Sequence, residues 1–279
     1  HRNGGQLPGV IAEKIDPQIL ADVPRPKTVV CVSGTNGKTT TNNLLNDLLA
    51  DNEYEVVNNR AGGNVANGIQ STLIRNATMS GGTKKDMAVM ELDELSFRKV
   101  LPYLTPDIIL VTNLYRDSFS RNANPDFIFN VMSHYVSPKT KLVLNADDLI
   151  SCRLAPQDAN RVYYSIGRLA DDTAEPQGIV CDLTACPVCG GKLEYDYCHL
   201  RHLGHATCKS CGFTNPEPDY ELTALDREAH TFTVCERSHE GAPTHTYRYG
   251  NYSITNLYNL FSTVVVAREL GLSAEAIGA

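Results

Sequence analysis

The stretch from Thr28 to Thr40 constrains this chain more than any other. Thr28 to Val32 is a β-branched run that predicts a buried strand. The run stops at Gly34 and restarts as an amphipathic helix with Leu44, Leu45, Leu48 and Leu49 on one face. Between strand and helix lies Gly34-Thr35-Asn36-Gly37-Lys38-Thr39-Thr40, a Gly-Lys-Thr loop of the phosphate-binding kind. A triphosphate needs this arrangement. Backbone N–H groups in the tight turn point inward, the helix N-terminus adds partial positive charge, and Lys38 supplies a full one. The Thr39 hydroxyl then reaches a Mg²⁺ ion on the phosphates. One position departs from the general pattern: Val32 stands where a glycine is usual. An incidental turn is the alternative reading, and the flanking strand and helix argue against it.

The rest of the first half repeats the alternation. Strands are expected over 53–58, 86–92, 107–113, 141–145 and 161–166, with helices over about 65–75 and 126–135. Continuous apolar strands alternating with helices imply a parallel sheet covered on both faces. Sites in such sheets gather at the carboxyl ends of the strands, where Lys38, Glu91 and Asn113 fall. Of the acidic residues ending the third strand, Glu91 is the better Mg²⁺ ligand and Asp93 the better helix cap, with Glu94 in the first turn. Asn59 to Asn64 is a Gly-Gly-Asn loop, either an ordinary helix entry or a close approach to a substrate. Residues 1–27, with turn signals at Leu7-Pro8-Gly9 and Asp16-Pro17, read as a lead-in segment.

The pattern breaks after Gly167. Cys186-Pro-Val-Cys189-Gly and Cys208-Lys-Ser-Cys211-Gly are two Cys-x-x-Cys knuckles with eighteen residues between them. Four thiolates at this spacing give tetrahedral Zn²⁺ coordination with no open position, a structural site. A redox pair or disulfides are the alternative. His199, His202 and His205 lie between the knuckles and are read as surface residues, because four cysteines leave them no vacancy. Cys31 belongs to the buried strand, while Cys152, Cys181, Cys198 and Cys235 have no evident partner. Nine cysteines, four at metal-ligand spacing, point to a reducing, cytoplasmic setting. The segment 178–218 is too poor in large aliphatic residues to build its own core, so metal is expected to order it. Nucleotide binding is expected not to depend on that metal.

Beyond the knuckles, 220–236 and 244–249 alternate polar and apolar residues and predict a small antiparallel sheet. A helix follows with Leu260, Val264, Ala267 and Leu270 on one face. At its start, Asn256 and Asn259 either cap the helix or present amides to a base or ribose. A net charge of −7 gives no global support for nonspecific nucleic-acid binding. No stretch approaches eighteen apolar residues, and His1 to Gly5 has no apolar signal core.

Taken together, the motifs resemble one family. Gly34 to Thr40 is similar to the shortened phosphate loop of the Mur ligases, which accounts for Val32. Asn145-Ala146-Asp147-Asp148 and Asn256-Leu257-Tyr258-Asn259 match the same central domain in the same order. The four-cysteine ribbon after the sixth strand narrows the resemblance to one branch, the ligase subunits of lipid II isoglutaminyl synthases. The opening Gly4 to Gly9 with Ile15-Asp16-Pro17 points the same way. The resemblance implies a central ATP-binding domain over 28–177 and 219–279, a zinc ribbon over 178–218 and a lead-in over 1–27. It also implies a C-terminal domain beyond this sequence, without which the chain alone is expected to be inactive.

The implied chemistry is ATP-dependent activation of the D-glutamate α-carboxylate of lipid II as an acyl phosphate. Ammonia from a GatD-like glutaminase subunit then amidates it to D-isoglutamine, at the cytoplasmic face of the membrane. Lys38 would hold the phosphates, Thr39 and Glu91 the Mg²⁺, and Asn256 the nucleotide. The family's Arg-Asp-Gln-Leu-Asp-Arg run is Arg116-Asp117-Ser118-Phe119-Ser120-Arg121 here, so Asp117 has no assigned role. Two alternatives remain: a folylpolyglutamate-type ligase, which does not predict the ribbon, and a zinc-ribbon interaction module switched by nucleotide. Against the module, Lys192, Arg201 and Lys209 are balanced by Glu194 and Asp196. A GTPase needs Asn-Lys-x-Asp, which Asn113 to Asp117 does not provide.

Overall fold

A computed structural model describes residues 5–60, 63–115, 125–155, 159–175, 183, 185–251 and 253–278. Asp117 and the loop around it, Cys181, and the Ala61-Gly62 pair lie outside the described residues. The chain forms two compact units.

The first comprises the described residues of 1–110, 126–142 and 155–160. Its elements are α1 (Leu7–Ile15), α2 (Ile19–Asp22), β1 (Thr28–Ser33), α3 (Lys38–Asp51), β2 (Val56–Asn58), α4 (Ala66–Asn76), β3 (Met87–Glu91), α5 (Phe97–Val100), β4 (Ile108–Val111) and α6 (Pro125–Tyr135). Its strands lie in the order β4-β1-β3-β2. β1 pairs β3 in parallel from Thr28↔Met87 to Val32↔Glu91, and β2 joins the other edge of β3 in parallel. Val30, Cys31, Val32, Val89 and Met90 are fully buried, as are Leu45 and Leu49 of α3. Each of these valine, leucine and methionine side chains contributes about 1.5–3 kcal/mol on burial.

The lead-in differs from the turn expected at Leu7-Pro8-Gly9, for those residues open α1. Proline costs nothing in a first helical turn, where its missing N–H would have no partner. Gly9 is needed for closeness: a Cβ there would stand 2.2 Å from the Asn67 carbonyl oxygen of α4. Its N–H donates to Ser71 Oγ at 2.8 Å.

The second unit comprises the described residues of 111–125, 143–154 and 161–279. It takes the end of β5 (Lys141–Asn145), then β6 (Arg161–Ile166), β7 (Leu193–Leu200), β8 (Leu203–Cys208), β9 (Tyr220–Asp226), β10 (Thr231–Glu236), β11 (Thr244–Arg248), α7 (Ile254–Glu269) and α8 (Ala274–Gly278). Strand order is β11-β10-β9-β6-β5. β9 runs parallel to β6 from Tyr164↔Tyr220, and β10 and β11 follow as antiparallel hairpins. The alternating strands therefore extend the β6 sheet. The small antiparallel sheet is the β7–β8 ribbon. Tyr164 and Tyr220 are buried at the join, which ties β9 to β6. α7 is buried almost all round, Phe261 to Ala267 without a break, rather than along one stripe.

Candidate phosphate-binding and metal sites

β1 ends at Ser33, whose Oγ donates to Leu92 O at 2.7 Å. The chain then turns through Gly34 (φ 121°) and Gly37 (φ 87°), both in the left-handed region that glycine adopts without strain. α3 begins at Lys38, so its first N–H groups face the loop. Lys38 Nζ donates to the carbonyls of Gly34 and of Thr35, the latter at 3.1 Å, and lies 3.2 Å from Glu94 Oε1. Glu94 is buried, and burial raises its carboxyl above the usual range against the opposing charge of Lys38.

The structure brings Thr39 and Glu91 together, as the motif predicts. Thr39 Oγ1 donates to Glu91 Oε2 at 2.8 Å, while Glu91 Oε1 accepts from Asn64 Nδ2 at 2.8 Å. Asn59 clamps the backbone of the same residue: its Oδ1 accepts Glu91 N–H at 2.9 Å and its Nδ2 donates to Glu91 O at 2.7 Å. A hydroxyl and an oriented carboxylate at the mouth of a phosphate loop are the hard oxygen donors that Mg²⁺ prefers. Asp93 is the cap, accepting Leu95 N–H at 3.0 Å. Beside this group opens a cavity of about 400 Å³, lined by Thr39, Asn42, Asn43, Asn59, Arg60, Gly63, Asn64 and Glu91. The Asn59 clamp and the Glu94 partner of Lys38 were not legible in the sequence. The Asn59 to Asn64 loop was the one signal for the former.

In the second unit, Ser253 caps α7, its Oγ accepting Asn256 N–H at 3.1 Å. The Asn256 side chain is thus not spent on capping. Asn145-Ala146-Asp147-Asp148 is a buried tie. Asp147 accepts from Ser165 Oγ at 2.6 Å, Ile166 N–H at 2.8 Å and Tyr258 OH at 2.7 Å. Asp148 Oδ2 accepts Leu114 N–H at 2.7 Å, next to Asn113 at the end of β4.

The four knuckle cysteines converge, all their sulfurs lying within 4.8 Å of one another. Cys186 and Cys211 sulfurs are 3.7 Å apart, and those of Cys189 and Cys208 are 3.5 Å apart. Bonds of about 2.3 Å to a tetrahedral ion would set sulfurs about 3.8 Å apart, so the donor set fits a metal. Gly190 (φ 72°) and Gly212 (φ 75°) make the knuckle turns. N–H groups of Val188 and Gly191 point at the Cys186 and Cys189 sulfurs, each at 3.4 Å. The backbone N–H of Cys211 leads in pulling the Cys208 thiol down to about 6, while, against the N–H of Phe213, the crowded Cys189, Cys208 and Cys186 sulfurs push the Cys211 thiol up to about 12.

The histidine reading is corrected. His199 is buried, with Nδ1 2.8 Å from Asp172 Oδ1 and Nε2 2.9 Å from Ile166 O. His202 is wholly buried, with Nε2 3.2 Å from Asp148 Oδ1. His205 is partly exposed and meets Asp196 at 2.6 Å. Hairpin alternation could not show that this ribbon lies against other chain on one face. Cys31 is packed, and burial raises its thiol to about 12. Cys198 Sγ donates to Arg201 O at 2.7 Å.

These features define an α/β protein with a Gly-Lys-Thr loop between strand and helix and a four-cysteine ribbon whose sulfurs could hold a metal. The Mur ligase middle domain matches residues 32–188, more than half of the sequence, and the chain belongs to that family. Membership implies ATP and Mg²⁺. Subunit MurT of the glutamine-hydrolysing lipid II isoglutaminyl synthase of Staphylococcus aureus is 35% identical, over 99% of this chain and 60% of that protein. The Streptococcus pneumoniae MurT is 29% identical, over 98% and 60%. The chain thus spans about 60% of the length of these relatives. Among solved structures, a pseudomurein peptide ligase type C from Methanothermus fervidus superposes with a TM-score of 0.72 at 26% identity, covering 95% of this chain and 50% of that one. MurF from Thermotoga maritima, in complex with ADP, shares the fold at a TM-score of 0.58 and 16% identity, covering 97% and 52%. Among the described residues no helix is long and apolar enough to cross a membrane.

Proposed function

We propose that this chain is the ATP-binding part of the ligase subunit of a lipid II isoglutaminyl synthase. The observation that carries this reading is the similarity to MurT along 99% of the chain. The site chemistry supports it. Lys38 neutralises charge on the phosphates, held over the loop by the buried Glu94. Thr39 and Glu91, aligned by Asn59 and Asn64, hold Mg²⁺. Asn256 contacts the nucleotide. ATP supplies the phosphoryl group that activates the D-glutamate α-carboxylate of lipid II, and ammonia displaces phosphate to leave D-isoglutamine.

The ammonia comes from a GatD-like glutaminase partner, and the reaction takes place at the cytoplasmic face of the membrane. Cys186, Cys189, Cys208 and Cys211 bind Zn²⁺ as a structural ion, since all four positions are filled and none is left for water. The test uses the complete ligase subunit with its glutaminase, lipid II, glutamine and ATP, read by mass spectrometry. Wild type is expected to convert D-glutamate to D-isoglutamine and Lys38→Ala to yield none. Equal product from the variant would refute the assignment.

A further inference from the structure

We propose that the ribbon hairpin buttresses the nucleotide end of the second unit, with His202 as a positioning residue. The proposal rests on the reading of Asn256 as a nucleotide contact. Three successive residues are gripped from the ribbon. Asn215 Nδ2 donates to Ala146 O at 2.6 Å, Gly204 N–H to Asp147 O at 3.0 Å, and His202 Nε2 meets Asp148 Oδ1 at 3.2 Å.

The same three residues hold the neighbouring segments. The second oxygen of Asp148 takes the Leu114 N–H, and Asp147 takes the hydroxyl of Tyr258, two residues beyond Asn256 on α7. A contiguous hydrogen-bonded path therefore runs from the hairpin turn to the first turn of α7 and to the exit of β4. Asp148 shows which tautomer His202 needs. Against a carboxylate oxygen, which can only accept, the proton belongs on Nε2. Nδ1 is buried and has no partner among the described residues. Tyr115 packs edge-on against the His202 ring at 5.7 Å, and the Arg201 guanidinium lies 4.8 Å over Tyr115. The hairpin turn thus meets both Asp148 and Tyr115. The proposal concerns the hairpin's own hydrogen bonds and leaves open to test the expectation that nucleotide binding does not depend on the metal.

If the hairpin merely filled space, an isosteric apolar residue at position 202 would serve as well. If it positions α7, the donor to Asp148 is what matters. Calorimetric titration with MgATP on His202→Leu and His202→Gln separates the two, because glutamine can place an N–H near the histidine Nε2. His202→Leu is expected to weaken MgATP binding about tenfold with metal content and circular dichroism unchanged, and His202→Gln to recover most of the loss. Wild-type affinity in His202→Leu, or equal weakness in both variants, overturns the proposal. Should His202→Leu fail to fold, Tyr258→Phe, which removes only the hydroxyl to Asp147, takes its place; unchanged affinity there also overturns it. Lys38→Ala keeps the two readings apart. If wild type binds no MgATP, or Lys38→Ala binds it equally, the nucleotide assignment falls, and this inference with it. If Lys38→Ala abolishes binding and His202→Leu does not alter it, only the buttress falls.

Discussion

The phosphate loop and the cysteine ribbon both use glycine turns to aim polar groups at a point, yet they are supported in opposite ways. Around the loop, β1, β3 and α3 form an apolar scaffold, with Val30, Val32, Val89, Leu45 and Leu49 fully buried. Its ligand-facing groups are backbone N–H, one ammonium, one hydroxyl and one carboxylate. Such a site is shaped before anything binds. Among the described residues of the ribbon, Leu183, Cys186, Leu193, Cys198, Leu203, Ala206 and Cys208 are the apolar side chains with little exposure, and three of the seven are cysteines. The ribbon is therefore expected to depend on what its thiolates hold, the loop on what its strands bury.

Removing the metal should therefore have the largest effect. Zinc held by small domains contributes on the order of 10 kcal/mol, more than any single contact in the loop. Cys208→Ser with Cys211→Ser is expected to lose about one zinc per chain, read by elemental analysis, and to open 186–212 to protease. Retained zinc would mean the ion is held elsewhere and would break the comparison.

A smaller effect is expected in the loop's supports. Asn59→Ala removes the partner of the part-buried Glu91 N–H and C=O, at a cost of about 1 kcal/mol in urea unfolding. It should also loosen the Glu91 carboxylate and weaken the Mg²⁺ dependence of ATP binding about 10- to 100-fold. Asp93→Ala, a cap with no place in the donor set, should cost about 1 kcal/mol and leave the MgATP titration alone. Equal loss of Mg²⁺ dependence in both variants would show that Glu91 is not specially held.

The smallest effect is a slope with pH. Burial raises the Asp147 carboxyl above its ordinary value of 3.8, against His199 and the hydrogen bonds of Ser165, Ile166 and Tyr258. The folded state then keeps this proton where the unfolded chain has released it. The contribution is full below about pH 3.8 and is lost as pH rises through the raised value. Asp147→Asn should flatten that part of the urea-midpoint profile. An unchanged slope would show that Asp147 does not titrate there.

Local signals made the phosphate loop, Thr39, Glu91, the Asp93 cap and the four cysteines legible, because strand, turn and helix chemistry act over a few residues. The long-range partners were not. Glu94 finds Lys38 across 56 residues, and Tyr258 finds Asp147 across 111. His199 and His202 read as surface because polar residues in a hairpin usually are; only the docked fold shows Asp172 and Asp148 waiting for them. Pro8-Gly9 read as a turn because helix-breaking residues lose that meaning in a first turn packed against a neighbour.

The central claim is that Lys38, Thr39 and Glu91 make one nucleoside-triphosphate and Mg²⁺ site. Titrating ATP into this chain by calorimetry, with and without Mg²⁺, for wild type and Lys38→Ala, tests it most directly. One equivalent bound by wild type, tighter with Mg²⁺, and no measurable binding by Lys38→Ala is the predicted result. Unchanged affinity in Lys38→Ala would contradict the account.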